Sequence, residues 1–295
     1  KLNLKHIVLR ILGIRADPAT YFTKYMYPRE GISRLYEGMA ERVRATGNQV
    51  LLHAGAVRLE RTDSAVNRVV YTNGGTERAV DCEGVLSTIP LPSLVRMISP
   101  SLTDGIAAHA QRLRYRSLKV VYVVLNRDRL TDFHWVYLLD GHFRCNRISE
   151  QKNVSPALIP LGQTVLCIEI SCFKGDEIWN ASDEEVFRIA FTDFAKTGYG
   201  VKESEVAAYF VERIPTAYPV YELHFEDHLL PVLEGVHHLT NLLTLGRHGL
   251  FLNNSMDDNV LLGMRVGDYI AREGLHSQGW LKQMLEFMHL RFQGK

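Results

Sequence analysis

Residues 246–271, GRHGLFLNNSMDDNVLLGMRVGDYIA, put Gly246 and Gly249 ahead of Asn253, Asn254, Asp257 and Asp258, then repeat Leu261, Leu262, Val266 and Ile270 at helical spacing. The glycines allow backbone conformations and close approaches that a side chain would block. The asparagines tolerate left-handed turns, and either aspartate can cap the helix that follows. A helix start presents unpaired backbone N–H groups and the positive end of the peptide dipole, so a permissive loop here suits an electron-rich ligand. A capped helix behind a glycine turn accounts for the same residues without any ligand. The stretch lies late in the sequence and lacks the GxGxxG spacing of a dinucleotide fingerprint, which belongs to the first strand and helix of its fold.

Residues 237–246 read as a strand leading into this loop, and Gly274 and Gly279 separate its helix from a last one over 280–292. Earlier, residues 31–46 carry Ile32, Leu35, Met39 and Val43 at helical spacing and stop at Gly47-Asn48. Extended segments follow over 49–61, 66–75 and 79–91, with Asn73-Gly74-Gly75 as a tight turn. The third ends in Ser87-Thr88-Ile89-Pro90, at the kind of strand end where open α/β sheets collect ligands. Residues 91–106 are helical or irregular about Pro100. Residues 117–127, 134–140, 143–150 and 164–173 read as antiparallel strands of one sheet. Ser182-Asp183-Glu184-Glu185 forms a capping box for a helix ending at Gly198 or Gly200. A strand over 206–215, the segment 216–225 and a helical 228–236 complete the pass, which meets no internal repeat.

With 46% hydrophobic and 23% charged residues over 295, the chain can bury a substantial core. Thirty-four basic against 33 acidic residues give a formal charge of +1, with no overall electrostatic case for nucleic acid. Cys82, Cys145, Cys167 and Cys172 lack CxxC spacing and clustered histidines, so no metal site is expected and Cys167 and Cys172 read as buried free thiols. The expectation is a protein of the reducing cytoplasm with a small-molecule substrate. No apolar run reaches the length of a membrane span. The opening residues Leu4, Ile7, Val8, Ile11 and Leu12 fit an amphipathic helix, and Arg10 interrupts the apolar run a signal peptide needs.

Three segments in order, residues 22–60 (FTKYMYPREGISRLYEGMAERVRATGNQVLLHAGAVRLE), 81–95 (DCEGVLSTIPLPSLV) and 246–271, resemble the later portions of the flavin-dependent amine oxidase, protoporphyrinogen oxidase and phytoene desaturase superfamily. Residues 143–156, 175–179 and 217–222 are most similar to a protoporphyrinogen-oxidase-like group, and the likeness runs through essentially the whole chain. The resemblance implies a fold of α/β and α+β character: an incomplete FAD-binding domain, Rossmann-like and of the second glutathione reductase type, interleaved with a mostly antiparallel-sheet substrate domain. It assigns residues 30–105 and 235–275 to the former, 1–29 and 106–234 to the latter, and 276–295 to a C-terminal helix.

FAD is the implied cofactor, and the implied chemistry is hydride transfer from an organic substrate to the flavin. On the matching positions, Gly246, Arg247 and Gly249 run beside the flavin, and Met256, Asp257 and Asp258 open a helix near its ribityl chain and pyrimidine edge. The Val57 backbone lies against the adenine, and Thr88, Ile89 and Pro90 form the strand end close to the cofactor. The stretch NNSMDDN departs from the aromatic or glycine-rich segment of many relatives, which leaves open which aspartate faces the ligand. The GxGxxG half of such a site is absent from these residues and either lies upstream of Lys1 or is lost. The chain by itself is therefore expected to bind FAD weakly or not at all, and to be inactive alone.

For the substrate, Arg144 and Arg147, with His134, Trp135 and Tyr137 upstream, are candidates to grip a carboxylate or phosphate, because guanidinium suits planar bidentate contacts. An exposed sheet face with an Arg147–Glu150 pairing is the plainer alternative. Tyr218 and Tyr221 either close the pocket over the flavin or pack as a Tyr-Pro turn on the core. No catalytic side chain is assigned, and His53, His237 and His238 receive no role. Two other functions stay open: a non-redox flavin-dependent isomerase of nucleotide sugars, and a truncated, non-catalytic binding module.

Overall fold

Residues 79–91 divide at Cys82-Glu83-Gly84, and the division separates two sheets in the computed structural model, which describes residues 26–292. Before it, β3 (Thr76–Asp81) ends an antiparallel meander with β1 (Ala54–Thr62) and β2 (Ala65–Asn73). After it, β4 (Val85–Ser87) pairs in parallel with β11 (Leu242–Thr244), Val85 opposite Leu242 and Ser87 opposite Thr244. Asn241 joins the sheets: its side chain accepts from the Val66 N–H at 2.8 Å and donates to the carbonyls of Val66 and Glu83 at 2.7 Å each. Polar atoms at a sheet junction must find partners, and one amide supplies all three bonds.

Around these strands pack α2 (Leu91–Met97), α3 (Asp104–Arg112), α7 (Glu226–His237), α9 (Met256–Glu273) and α10 (Ser277–Phe292). β5 (Ile98–Ser99) adds a short parallel partner to β1. Leu91, Leu94, Val232, Leu242 and Trp280 are fully buried in this first core. Trp280 also donates its indole N–H to the Thr244 carbonyl at 2.8 Å, tying α10 to β11. Gly279, expected as a break, lies inside α10 beside Tyr269. The helix expected over 31–46 forms as α1 (Ser33–Ala45), yet it buries none of its residues: Leu35, Tyr36, Met39 and Val43 all remain exposed. The amphipathic helix expected over the first residues falls outside the described part of the chain.

The second core belongs to an antiparallel sheet of order β10-β6-β9-β8-β7. Its strands are β6 (Tyr115–Leu125), β7 (Trp135–Tyr137), β8 (Arg147–Glu150), β9 (Thr164–Cys172) and β10 (Val206–Pro219). Helix α6 (Asp183–Lys196) covers one face, its Phe187 and Phe194 packing over Val121, Val123, Ile148 and Ile168. Two short helices, α4 (Gln151–Val154) and α5 (Glu177–Asn180), fill the connections. The capping box forms as expected, Glu185 N–H donating to the Ser182 hydroxyl while the Glu185 carboxylate accepts from the Ser182 N–H at 2.7 Å. The strand expected over 206–215 continues to Pro219 through an irregular register between Ile214 and Tyr218, so Tyr218 stands in β10 and not in a turn.

Cys145, Cys167 and Cys172 are buried free thiols and Cys82 is half-buried, with burial raising the thiol pKa of each. Among the described residues no group of three or more His, Cys, Asp or Glu side chains is placed to hold a metal, and no helix is long and apolar enough to cross a membrane.

His237, at the end of α7, is buried and donates Nδ1–H to the Leu233 carbonyl at 2.8 Å. Burial pushes its imidazole from the ordinary 6.5 down to about 4, because the low-dielectric core disfavours the charged ring. A depressed folded-state value gives stability that is fully present above the unfolded-state pKa and is lost as pH falls through the folded one. The His237 contribution is expected to fall by about 3 kcal/mol between pH 6.5 and pH 4. Urea unfolding across that window should show the loss in the wild-type chain and a flatter profile in His237→Gln; equal slopes would refute it.

Candidate functional site

β4 and β11 run parallel, so their carboxyl ends open on the same side, and there the chain after β11 closes on the end of β4. The Leu245 N–H donates to the Ser87 carbonyl at 3.0 Å. Gly246 then turns at φ +77°, in the left-handed region, to start the single turn α8 (Gly246–Gly249). A Cβ on Gly249 would lie 2.7 Å from the Ser87 carbonyl oxygen, so only glycine lets α8 press on the end of β4. A Cβ on Gly246 would lie 3.7 Å from Asn259 Oδ1 and 3.8 Å from Thr88 Cβ, which puts strand end, turn and helix tip at one point. The Ser87 hydroxyl is buried beside this junction with no hydrogen-bond partner among the described residues.

At the tip of α9 the Asp258 carboxylate accepts from the Ser255 N–H at 3.0 Å and the Ser255 hydroxyl at 2.8 Å. Asp258 is buried and engaged in this cap, whereas Asp257 and Met256 are exposed. Sequence reasoning left the two aspartates equivalent; burial distinguishes them, and the Ser255 hydroxyl reaches the Asp257 carboxylate as well. The first N–H with an intrahelical acceptor is that of Asn259, bonded to the Ser255 carbonyl at 3.2 Å, so those of Met256 and Asp257 lie ahead of the helix ladder. Asn254 and Asn259 exchange side-chain amide bonds at 2.9 and 3.3 Å, and Arg247 donates to the Asn254 carbonyl. These contacts hold the loop against the helix.

The far side of the loop is clasped by the antiparallel sheet. Tyr115 donates its hydroxyl to the His248 carbonyl at 3.0 Å and meets the His248 ring edge-on. The Arg247 guanidinium lies over the Tyr218 ring, 5.0 Å from its centroid. Tyr221 accepts from the Asn253 N–H at 2.7 Å and donates to the Phe251 carbonyl at 3.2 Å. Its hydroxyl is thus spent on the loop backbone, and burial raises its pKa. Tyr221→Phe is expected to loosen this clasp by about 1–2 kcal/mol, read as faster amide exchange at Asn253 with unchanged exchange in β6 and β9; unaltered protection at Asn253 would contradict the clasp.

Thr88, Gly246, Arg247 and Gly249 therefore converge, together with the Met256–Asp258 tip. From Thr88 the chain continues through Ile89, packed on the first core, to Pro90, which stands at the N-cap of α2. Val57 lies elsewhere, in the four-stranded sheet, at the bulge between Ala56 and Arg58. Arg147 and Tyr218 share one face of the sheet: Tyr218 packs with the Leu118, Val120 and Cys167 cluster, and Val120 lies in register with Glu169, the partner of Arg147. Arg144 is parted from them. Its backbone N–H donates to Asp193 on α6 and its exposed side chain approaches Glu177 at 3.6 Å, among the elements covering the other side of the sheet. Arg147 pairs with Glu169 on the neighbouring strand and not with Glu150, which sits on the α6 side, because side chains alternate along β8. Tyr115, His248 and Asn259 had no signal in the sequence, since their partners are distant in the chain or in loop geometry.

A family model described as flavin containing amine oxidoreductase matches residues 14–235. No curated protein matches the chain. Among solved structures, that of reduced UDP-galactopyranose mutase is similar with 16% identity and a TM-score of 0.71, over 83% of this chain and 52% of the other. A candidate protoporphyrinogen oxidase from Exiguobacterium sp. 255-15 has 17% identity and a TM-score of 0.64, over 85% and 53%. Wild-type putrescine oxidase bound to putrescine has 18% identity and a TM-score of 0.56, over 82% and 53%. These likenesses are of fold, and the chain spans about half the length of each of these structures.

Proposed function

This chain belongs to the family of flavin containing amine oxidoreductases, and from that premise we propose that it supplies the carboxyl-terminal half of an FAD site and the substrate-facing sheet of an oxidoreductase. The observation that carries the reading is the junction at Gly246, where the carboxyl end of a parallel strand, a glycine turn and the start of an 18-residue helix meet. An isoalloxazine ring fits this junction on three counts. Gly249 lets α8 close on the end of β4 and so builds the junction, the helix tip holds N–H groups ahead of its ladder, and the buried Ser87 hydroxyl has no partner among the described residues.

When bound, FAD supplies the acceptor for a hydride from the substrate. The chain's own residues bind and orient. The N–H groups of Met256 and Asp257, with the helix dipole behind them, favour negative charge next to α9. Gly246 and Gly249 bring the turn against the Ser87-Thr88 strand end, and Tyr218 with Arg247 marks the border between the loop and the antiparallel sheet. Two separate cores support a cofactor part and a substrate part, with α10 packed into the first, but α3 and α7 also pack into the first core, so the cofactor part reaches past residue 105 and begins again before residue 235.

The test is anaerobic mixing of the FAD-loaded product of the complete reading frame with amines, porphyrinogens and carotenoid precursors, following loss of the flavin's visible absorbance. Bleaching by one class supports the oxidoreductase. Isomerisation of a nucleotide sugar with no net flavin reduction would replace it by the mutase reading, which the UDP-galactopyranose mutase likeness brings into the test. A complete product that takes up no flavin would reject both.

A further inference from the structure

The face of the antiparallel sheet turned away from α6 has two aligned rows. Strand register brings Val120, Glu169, Arg147 and Tyr137 side by side, and Tyr122, Cys167, Ser149 and Trp135 side by side in the next row. Tyr122 stacks on Phe210 across β10, ring centroids 4.6 Å apart at 14°. Trp135, Tyr137 and Phe210 remain about half exposed on this face. Such an aromatic wall suits a flat apolar body.

Within it the Arg147–Glu169 pair has an unusual form. Arg147 Nε lies 3.0 Å from Glu169 Oε1, and Nη2 bonds to that same oxygen. A pair that existed only to neutralise itself would favour the fork-to-fork arrangement that uses both carboxylate oxygens. Here two of five guanidinium N–H groups are spent on one oxygen and Tyr137 takes a further bond, which leaves the remaining donors of Arg147 for a ligand. Burial works against its charge, while the Glu169 bond and charge hold the guanidinium above its ordinary pKa, so it stays cationic. A second guanidinium, that of Arg247, approaches from the glycine loop over the Tyr218 ring. Tyr218 thus ties the glycine loop to the face of the sheet that holds Arg147.

We infer that Arg147 seats the carboxylate of a substrate whose flat apolar body lies along the Tyr122–Phe210 wall, with Glu169 as the positioning residue that holds Arg147 side-on. The flavin reading contributes only the expectation that the reacting bond lies on the Arg247 side. A carboxylate matches the planar outer edge of guanidinium. A dianionic phosphate would meet more repulsion from Glu169.

Benzoate binding to the 295-residue chain without FAD tests the seat apart from the redox reading, by calorimetry and by Trp fluorescence, since Trp135 lies on the same face. Arg147→Gln should weaken benzoate at least about tenfold. Glu169→Gln keeps an acceptor for Arg147 and removes a negative charge, so affinity should hold or rise by about two- to fivefold. Glu169→Ala removes both and frees Arg147, so its affinity should fall below that of Glu169→Gln, with thermal melts confirming that each variant is folded. No benzoate binding by the wild-type chain, binding unaffected by Arg147→Gln, a Glu169→Ala variant no weaker than Glu169→Gln, or binding of inorganic phosphate in place of benzoate would each overturn the inference. Benzoate binding with these shifts in a protein that fails to reduce flavin would leave the seat standing and the oxidoreductase reading refuted.

Discussion

Gly249→Val is expected to destabilise the chain by about 3–4 kcal/mol and to raise the FAD dissociation constant of the complete reading-frame product by more than tenfold. The reason is the position of the missing Cβ, 2.7 Å from the Ser87 carbonyl oxygen. That neighbour is backbone, and it is held in turn by the Leu245 N–H, so neither side can yield by a rotamer change. Relief requires α8 to move off β4, which separates Thr88 from the Gly246 turn. Gly246→Ala provides the comparison. Its Cβ would meet only ordinary van der Waals neighbours, leaving the left-handed φ of +77° as the penalty, about 1 kcal/mol. Urea unfolding and FAD titration of both variants check the ranking; a Gly249→Val protein no less stable than Gly246→Ala would remove the close approach from the account of the site.

Glu150→Leu is expected to lower stability by about 4 kcal/mol through a different mechanism. Glu150 is fully buried, and its carboxylate accepts from the Leu130 N–H at 2.9 Å, the Thr131 N–H and hydroxyl at 2.6 Å each, the Thr164 hydroxyl at 2.7 Å and the Asn153 amide at 3.2 Å. Removing the acceptor strands several buried donors at once, and each unsatisfied group costs about 1–3 kcal/mol before relaxation. Glu150→Gln should fall between, because its amide oxygen retains some of these bonds and its NH2 cannot accept the rest. The measurement is equilibrium urea unfolding, and a loss under about 1 kcal/mol for Glu150→Leu would show that water or loop movement satisfies these donors. Glu150 anchors the segment between β6 and β7, so its variants also report how firmly Trp135 and Tyr137 are held.

The contrast between Glu150 and Glu169 shows how far the sequence could be read. In RISE the alternation of side chains along a strand puts Arg147 and Glu150 on opposite faces, which disfavours the pairing that their spacing suggests. Which strand lies beside Arg147, and therefore that its partner is Glu169, depends on register across 22 residues of chain. Tyr218 makes the same point. Pro219 after it suggests a turn, but pairing with β6 carries the strand through to Pro219, because a proline at a strand end loses little. Helix α1 shows the converse: its apolar spacing was legible, yet within the described residues that face packs into neither core.

By itself the sequence determined the local elements and their signals: the capping box at Ser182, the helix over Leu261 to Ile270 behind a glycine turn, the small polar end of the Val85–Ser87 strand, and the order of three segments that resembles a flavoprotein family. These are effects of neighbours within a few residues, where backbone sterics, alternation and capping act. Only the tertiary structure decided that Gly249 presses on Ser87, that Tyr221 clasps the loop backbone, and that Arg147 and Arg144 are parted by the sheet. Those outcomes depend on contacts between residues tens to more than a hundred positions apart, whose geometry is fixed by packing and strand register, and no local pattern encodes either.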